Sequence, residues 1–304
     1  EETLMESANL LEKKKNQKRK PTIKELSKIN GIGFKKGKFI RVNTRRPFIQ
    51  DLDSLPFPAW HLLPMEIYQK LAKNKQTSRK ADKRWMTVLT SRGCPFQCTF
   101  CSGREVMGLK WRYRSPENVI KEIEILINKY GIKRIEFEDD NLTLNRERIE
   151  KICDLIIKKR LKIEWATPNG VRADTLDFNL LKKMKLAGLK QLFIAPESGN
   201  QRIVNEVIKK NLDLKKVEEV AKICKKLNID LYCFFMIGLI GETVEDMKDT
   251  INFAFKLGKL GAKVYGDVIP MIPRYNTPQY EEAIKKGYLK KIPGKNFELS
   301  LLDL

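Results

Sequence analysis

Three cysteines within eight residues, Cys94, Cys98 and Cys101, carry the most specific chemical signal in the chain. They lie in Ser91-Arg92-Gly93-Cys94-Pro95-Phe96-Gln97-Cys98-Thr99-Phe100-Cys101-Ser102-Gly103, with three residues and then two between them. Thiolates at such spacings on one tight loop reach three corners of a small metal cluster, and iron–sulfur cubes are held in this way. With three ligands a cube keeps one iron open to an exchangeable ligand, which is the difference between chemistry and electron storage. The alternatives are structural zinc and inert thiols. Structural zinc takes four ligands, and the fourth would come from Cys153, Cys224, Cys233 or His61. Cys153 and Cys224 fall on apolar helix faces and Cys233 in an apolar strand, so all three read as small hydrophobes. His61, the one histidine, stands beside a Pro-rich stretch and reads as structural. Sites that need several imidazoles are excluded.

The cysteine loop is embedded in a repeating pattern of short apolar strands and amphipathic helices. Strands are expected at 86–90, 134–138, 163–166, 191–195, 230–237 and 262–269. Helices are expected at 117–130, 146–159, 178–187, 201–209, 214–227 and 244–257. Strict alternation means parallel strands with helical crossovers. Six units are too few for an eight-stranded barrel and fit an open doubly wound sheet or a partial barrel. In either case function belongs at the C-terminal ends of the strands. Upstream, 2–11 reads as a short helix, 13–20 as a charged connector, 31–42 as a hairpin, and the Pro-punctuated 52–60 as an extended strap on a surface.

The 304 residues carry 60 basic and 38 acidic side chains, a net charge of +22. The basic set is 43 Lys to 17 Arg. Arg is the usual residue for bidentate phosphate and base recognition, so a Lys-dominated surplus reads first as a solvated surface. Clustered cysteines in a chain without a visible export signal point to a reducing, cytoplasmic compartment. No apolar run approaches the length of a membrane span.

At the cysteine loop, with aromatic Phe100 before the third Cys and a first strand before the loop, the sequence resembles the radical S-adenosylmethionine (SAM) enzymes. The resemblance covers about residues 86–270. It implies an α/β fold, a partial six-unit β/α barrel with parallel strands, flanked by an N-terminal linker region (1–85) and a short, truncated C-terminal extension (271–304). It implies a 4Fe-4S cluster on Cys94, Cys98 and Cys101. SAM then chelates the fourth iron, and one electron cleaves it to a 5′-deoxyadenosyl radical that abstracts hydrogen from substrate.

By the same resemblance the other strand ends hold the cofactor. Asp139 or Asp140, with Glu138 behind them, would take the SAM ammonium, the alternative being an acidic turn that caps the next helix. Arg172 would pair with the carboxylate, or else form a salt bridge to Asp174 or Asp177. Glu197 and Ser198 would contact the ribose, or else Ser198 or Asn200 would cap a helix. Gly238 and Ile240 would approach the adenine; Ile240 replaces a proline that relatives carry there. The loop 270–278 lacks the Gly of the usual turn.

The strap, the hairpin and residues 1–4 resemble the joint to a cobalamin-binding domain, which implies cobalamin in a longer parent. Methyl transfer to an unactivated carbon is the leading reaction. The alternatives are anaerobic oxidative cyclisation of a porphyrin-like substrate, tRNA methylthiolation and, from another class, a zinc-stabilised nucleic-acid-binding protein. Expected partners are SAM, a substrate that the sequence does not identify and a flavodoxin- or ferredoxin-like electron donor, without nucleic acid.

Overall fold

The computed structural model describes residues 1–73 and 84–289. The chain divides into two compact units, Glu1–Gln50 and Asp51–Leu304. The division falls within the region expected as a single connector (1–85) and places the strap with the second unit.

In the first unit, α1 (Glu2–Asn16) is followed by α2 (Ile23–Leu26) and a hairpin of β1 (Gly33–Lys36) and β2 (Phe39–Val42). The hairpin matches the sequence reading. The charge run does not: α1 continues through Lys13, Lys14 and Lys15. Lys14 is buried, with its ammonium 2.6 Å from Glu25. A lysine on the inner face of a helix can extend it when a carboxylate receives its head group, and the sequence alone did not show that partner.

The second unit opens with the strap. Leu52 and Trp60 are buried, Asp53 Oδ1 accepts the Ser115 amide at 2.9 Å, and Phe57 lies under the Arg114 guanidinium, 5.4 Å from ring centroid to carbon. Then come α3 (Met65–Lys73), β3 (Trp85–Val88), β4 (Ser91–Arg92), α4 (Gly103–Met107), β5 (Arg112–Tyr113), α5 (Pro116–Tyr130), β6 (Arg134–Phe137), α6 (Arg146–Lys158), β7 (Glu164–Ala166), α7 (Phe178–Leu186), β8 (Leu189–Glu197), α8 (Leu214–Leu227), β9 (Asp230–Ile237), α9 (Val244–Lys259), β10 (Lys263–Pro270) and α10 (Pro278–Lys285). The main sheet runs β3-β6-β7-β8-β9-β10, all parallel.

That order decides between the two folds left open. A doubly wound sheet reverses its strand order partway; this sheet does not. Every crossover runs in the same direction, so the helices share one face and the sheet curls into a partial barrel. Its convex side holds the core: Val119, Ile123 and Leu126 of α5, Ile149, Ile152 and Cys153 of α6, Leu180 and Met184 of α7, Val217 and Cys224 of α8, and Leu257 of α9. Each crossover helix starts at a residue whose side chain accepts an amide of its first turn: Ser115, Asn145, Asp177, Asp213 and Thr243. Such caps contribute about 1 kcal/mol each.

The period-two alternation of β8 sorts the other face by height. Leu192 and Ile194 point to the helices. Gln191, Phe193, Ala195 and Glu197 alternate with them, so they face inward. Gln191 meets Arg134 near the bottom. Phe193 stacks on Tyr232 at 4.7 Å and meets Phe234 and Tyr265. This aromatic layer lies inside the sheet's curl, below the C-terminal ends of the strands. The helix expected at 201–209 contains a π-helical turn, Ile203–Val207. Among the described residues no helix is long and apolar enough to cross a membrane.

Candidate active site

A cavity of about 480 Å³ opens at the C-terminal ends of the strands. Cys94, Cys98 and Cys101 all line it, with Phe96 and Phe100 between them. Their loop leaves the barrel after β3 and returns through β5, and the two-residue β4–β5 ladder closes its base. The Cys94 amide donates to the Gly108 carbonyl at 3.1 Å. Gly93 has φ +89°, and a Cβ there would stand 2.5 Å from the Lys110 carbonyl oxygen. Only glycine brings the backbone that close.

All three cysteines are free; Cys94 and Cys98 are half-buried and Cys101 is exposed. Burial pushes the Cys94 and Cys98 thiols up; at Cys94 the charges of Cys98 and Cys101 add to the effect. At Cys98 the Lys210 ammonium is the main opposing influence. Cys153, Cys224 and Cys233 are buried in apolar surroundings that raise each thiol to about 12, which suits inert hydrophobes.

The two candidate aspartates separate. Asp140 lies on the cavity wall; its Oδ2 accepts the Gly93 amide at 3.1 Å, and burial raises its carboxyl. Asp139 is buried away from that wall. It accepts from the Thr90 amide (3.2 Å), the Thr90 hydroxyl (2.7 Å) and the Ser91 hydroxyl (2.5 Å). Its place is beneath the cysteine loop, and the expectation that it faces a ligand is corrected. Glu138 is not on the wall; its carbonyl accepts from Asn169 at 2.8 Å.

Arg172 lines the cavity, but its guanidinium is committed. It holds Asp174 through two bonds (2.9 and 2.5 Å) and donates to the carbonyls of Lys210 (2.9 Å) and Asn211 (3.3 Å). It also covers the Phe96 ring at 3.9 Å. The salt bridge to Asp174 is the alternative that forms; Asp177 pairs with Arg146. Glu197 lines the cavity, buried, with φ +72°, a conformation that a non-glycine residue holds only when its surroundings impose it. Lys210 is its ion-pair partner, with Nζ 2.9 Å from Glu197 Oε1 and 2.5 Å from the Ala195 carbonyl. Ser198 is off the wall, fully buried and bonded to Thr250 at 2.9 Å. It also accepts the Asn200 amide at 3.1 Å, and Asn200 Oδ1 accepts the Ile203 amide at 3.2 Å, so the capping alternative forms at Asn200.

Gly238 and Ile240 also lie off the wall. Gly238 has φ +81° and donates to Glu242 at 2.6 Å. Between them, Leu239 packs with Ile203 and Ile208 into a small apolar cluster that Cys98, Phe100, Met236 and Met271 join. Phe100 therefore has an apolar seat beside the cavity.

Sequence reading missed Lys210, Asn141, Asn169, Arg104 and Arg274 on the cavity wall. Asn141 is the most telling. It is 1% exposed, and neither its Oδ1 nor its Nδ2 has a hydrogen-bond partner among the described residues. A buried amide left without partners costs about 1–3 kcal/mol per group, so its place on a cavity wall implies a polar ligand. Adjacency to Asp140 was the available signal. Lys210 follows the π-helical turn and carried none.

The donor set on the cavity is three cysteine thiols. Among the described residues no three His, Cys, Asp or Glu side chains converge as ligands of one ion would, whereas a cube spreads its thiolates over separate irons. Three free thiols on the lining of one cavity, beside the partnerless Asn141 amide, are the donor chemistry that a cluster with an added ligand takes.

A family model described as the Radical SAM superfamily matches residues 88–254. An uncharacterized methyltransferase of Pyrococcus horikoshii is 38% identical over 77% of this chain and 48% of its own. The cytidylyl-2-hydroxyethylphosphonate methyltransferase of Streptomyces wedmorensis is 32% identical over 79% of this chain and 45% of its own. The chain thus spans about half the length of these curated relatives. In fold it is similar to the cobalamin-dependent SAM radical enzyme OxsB, with a TM-score of 0.68 and 19% identity over 90% of this chain and 43% of that one.

Proposed function

Because the chain belongs to the radical SAM superfamily, we propose that Cys94, Cys98 and Cys101 hold a 4Fe-4S cluster with one iron open to SAM. The carrying observation is the set of three free thiols on one wall of the cavity at the barrel's C-terminal rim. When bound, the cluster supplies the electron that cleaves SAM to methionine and a 5′-deoxyadenosyl radical. The chain's own residues bind and orient. Asp140 faces the SAM ammonium, and the Asn141 amide offers a donor and an acceptor beside it. Phe100, backed by Leu239, turns an apolar face of the wall to the adenine, and the Glu197–Lys210 pair lines the ribose side. Arg172 and Asp174 keep Phe96 in place over the loop.

The reaction class proposed for the whole protein is cobalamin-type methyl transfer to an unactivated carbon. Its support is the methyltransferase names of the two relatives and the OxsB-like fold. No residue of this chain is assigned to cobalamin. A flavodoxin- or ferredoxin-like donor in a reducing, cytoplasmic compartment would supply the electron.

Anaerobic reconstitution with iron and sulfide tests the reading. The protein should turn brown, with broad absorption near ~400 nm and about four irons per chain. Alanine at any of the three loop cysteines should abolish both, whereas Cys153→Ala should keep them. A colourless, zinc-loaded protein, or equal losses at all four positions, would refute the assignment.

A further inference from the structure

Thr99 sits between the second and third loop cysteines, and every polar group it owns is bonded outside the loop. Its amide donates to the Ile208 carbonyl at 2.9 Å. Its hydroxyl donates to the Val207 carbonyl at 2.8 Å. Both carbonyls belong to the end of the π-helical turn after β8, and such turns recur at functional sites because they free or re-aim backbone groups. The Thr99 carbonyl accepts the Gln279 amide at 3.1 Å.

Gln279 is the second residue of α10, after the N-cap Thr277 and Pro278. Amides of a first helical turn have no partner within their own helix, and here one of them grips the cysteine loop. The Gln279 side chain is buried and spans to the loop after β9. Its Oε1 accepts the Ile240 amide at 2.9 Å, and its Nε2 donates to the Ile240 carbonyl at 3.4 Å. One glutamine thus ties two segments together, the cysteine loop and the loop after β9, neither of them next to it in sequence. It also lies outside the matched residues 88–254.

We infer that Thr99 and Gln279 form a clamp that sets the position of the cysteine loop, with Gln279 as a positioning residue supplied by α10. The inference rests on reading the three cysteines as cluster ligands, but the clamp itself is a property of the protein without iron. Gln279→Ala removes both side-chain bonds to Ile240 and leaves the backbone bond to Thr99 without its brace. Gln279→Glu keeps an acceptor for the Ile240 amide and loses the donor. Thr99→Val removes only the hydroxyl bond to Val207.

Two measurements decide it. In the apoprotein, amide hydrogen exchange across 97–103 should speed up about five- to ten-fold in Gln279→Ala, the effect of losing about one net hydrogen bond in a locally opening segment. Exchange in the convex-side helices should not change. In the reconstituted protein, iron release to a chelator should speed up by a similar factor, with Gln279→Glu intermediate. Unchanged exchange in the loop, or acceleration spread evenly over the barrel, overturns the clamp. If Gln279→Ala does not fold, Thr99→Val decides the same question: faster exchange at Cys101 supports it and unchanged exchange refutes it. Wild-type protein that takes up no iron would defeat the cluster reading, while the exchange experiment still judges the clamp.

Discussion

Lys210 and Glu197 form a buried ion pair on the cavity wall, each side chain 8% exposed, with nitrogen and oxygen 2.9 Å apart. At that distance and an effective dielectric of about 20, their attraction is about 6 kcal/mol. Removing each ion from water costs several kcal/mol, so the pair nearly cancels and adds little net stability. Breaking it is another matter. Lys210→Met leaves the Glu197 carboxylate buried, in left-handed backbone, without its cation. The expected loss is about 3–5 kcal/mol. Glu197→Gln should lose less, because Lys210 keeps the Ala195 carbonyl and the amide oxygen still accepts. The double variant Lys210→Met/Glu197→Gln should recover to within about 2 kcal/mol of wild type, since it removes both desolvation penalties. Urea unfolding of the four proteins closes the cycle. If Lys210→Met costs under about 1 kcal/mol, or if the two losses simply add, the pair is not the coupled, desolvated unit described and the reasoning fails.

Gly93→Ala should prevent cluster assembly while the helices still form, because its Cβ would press on the Lys110 carbonyl oxygen at 2.5 Å and that of Gly108 at 2.9 Å from a positive-φ backbone; normal iron uptake by this variant would show that the loop is not so tightly built. Asp140→Asn should weaken SAM binding about ten-fold or more with little change in folding, whereas Asp139→Asn should lower the melting temperature by loosening Thr90 and Ser91, any loss of SAM binding following from that loosening; calorimetric titration with SAM and thermal melts separate the two, and an Asp140→Asn that melts early yet binds SAM normally would reverse their assignments. Asp177 is held below the usual carboxylate range, chiefly by the Arg146 hydrogen bond. A depressed acid lends stability above its unfolded pKa and loses it as pH falls through the folded one. Asp177→Asn preserves the N-cap, so its small deficit at neutral pH should shrink below about pH 4 and in about 1 M salt; a deficit that persists at low pH would mean the cap, not the charge, was lost.

Much of the barrel is legible because its signals are local. The 3.6-residue stripe of Val119, Ile123 and Leu126 and the run from Leu231 to Phe235 each state their own element. Bounds at 214–227 and 230–237 agree with the structure, and most others shift by a residue or two. Strand order is not local, yet five consecutive crossovers left only two folds to choose between. The cysteines could be singled out because their clustering within eight residues is itself local. What sequence could not resolve was direction. Asp139 and Asp140 are neighbours, so one faces the cavity and the other the support beneath the loop, and nothing in the run of acids says which. Arg172 offered two roles, and the partner that decided between them was two residues away. Lys210 and Gln279 were invisible for a different reason. Each acts on a residue far off in sequence, 13 and 180 positions away respectively, and neither sits in a periodic pattern that would mark it.

The cysteine loop has no core of its own. Cys101 is exposed, and the short helix α4 buries none of its residues. Its geometry must therefore come from the rim that grips it. Asp139, just beyond β6, holds Thr90 and Ser91; Arg148 of α6 holds the Thr90 carbonyl from the other side at 2.9 Å. Asp140 takes the Gly93 amide, the turn after β8 takes Thr99 twice, and α10 takes it a third time. These anchors come from four separate stretches of chain that only the closed curl of the sheet brings together. A loop fixed from so many sides is held in place by the barrel and depends on the whole of it. Substitutions on the rim should consequently reach the cluster over long sequence distances, while the loop's own exposed residues, such as Val106, should tolerate change. Position in the grip, not proximity in sequence to Cys94, Cys98 and Cys101, is what separates the two classes.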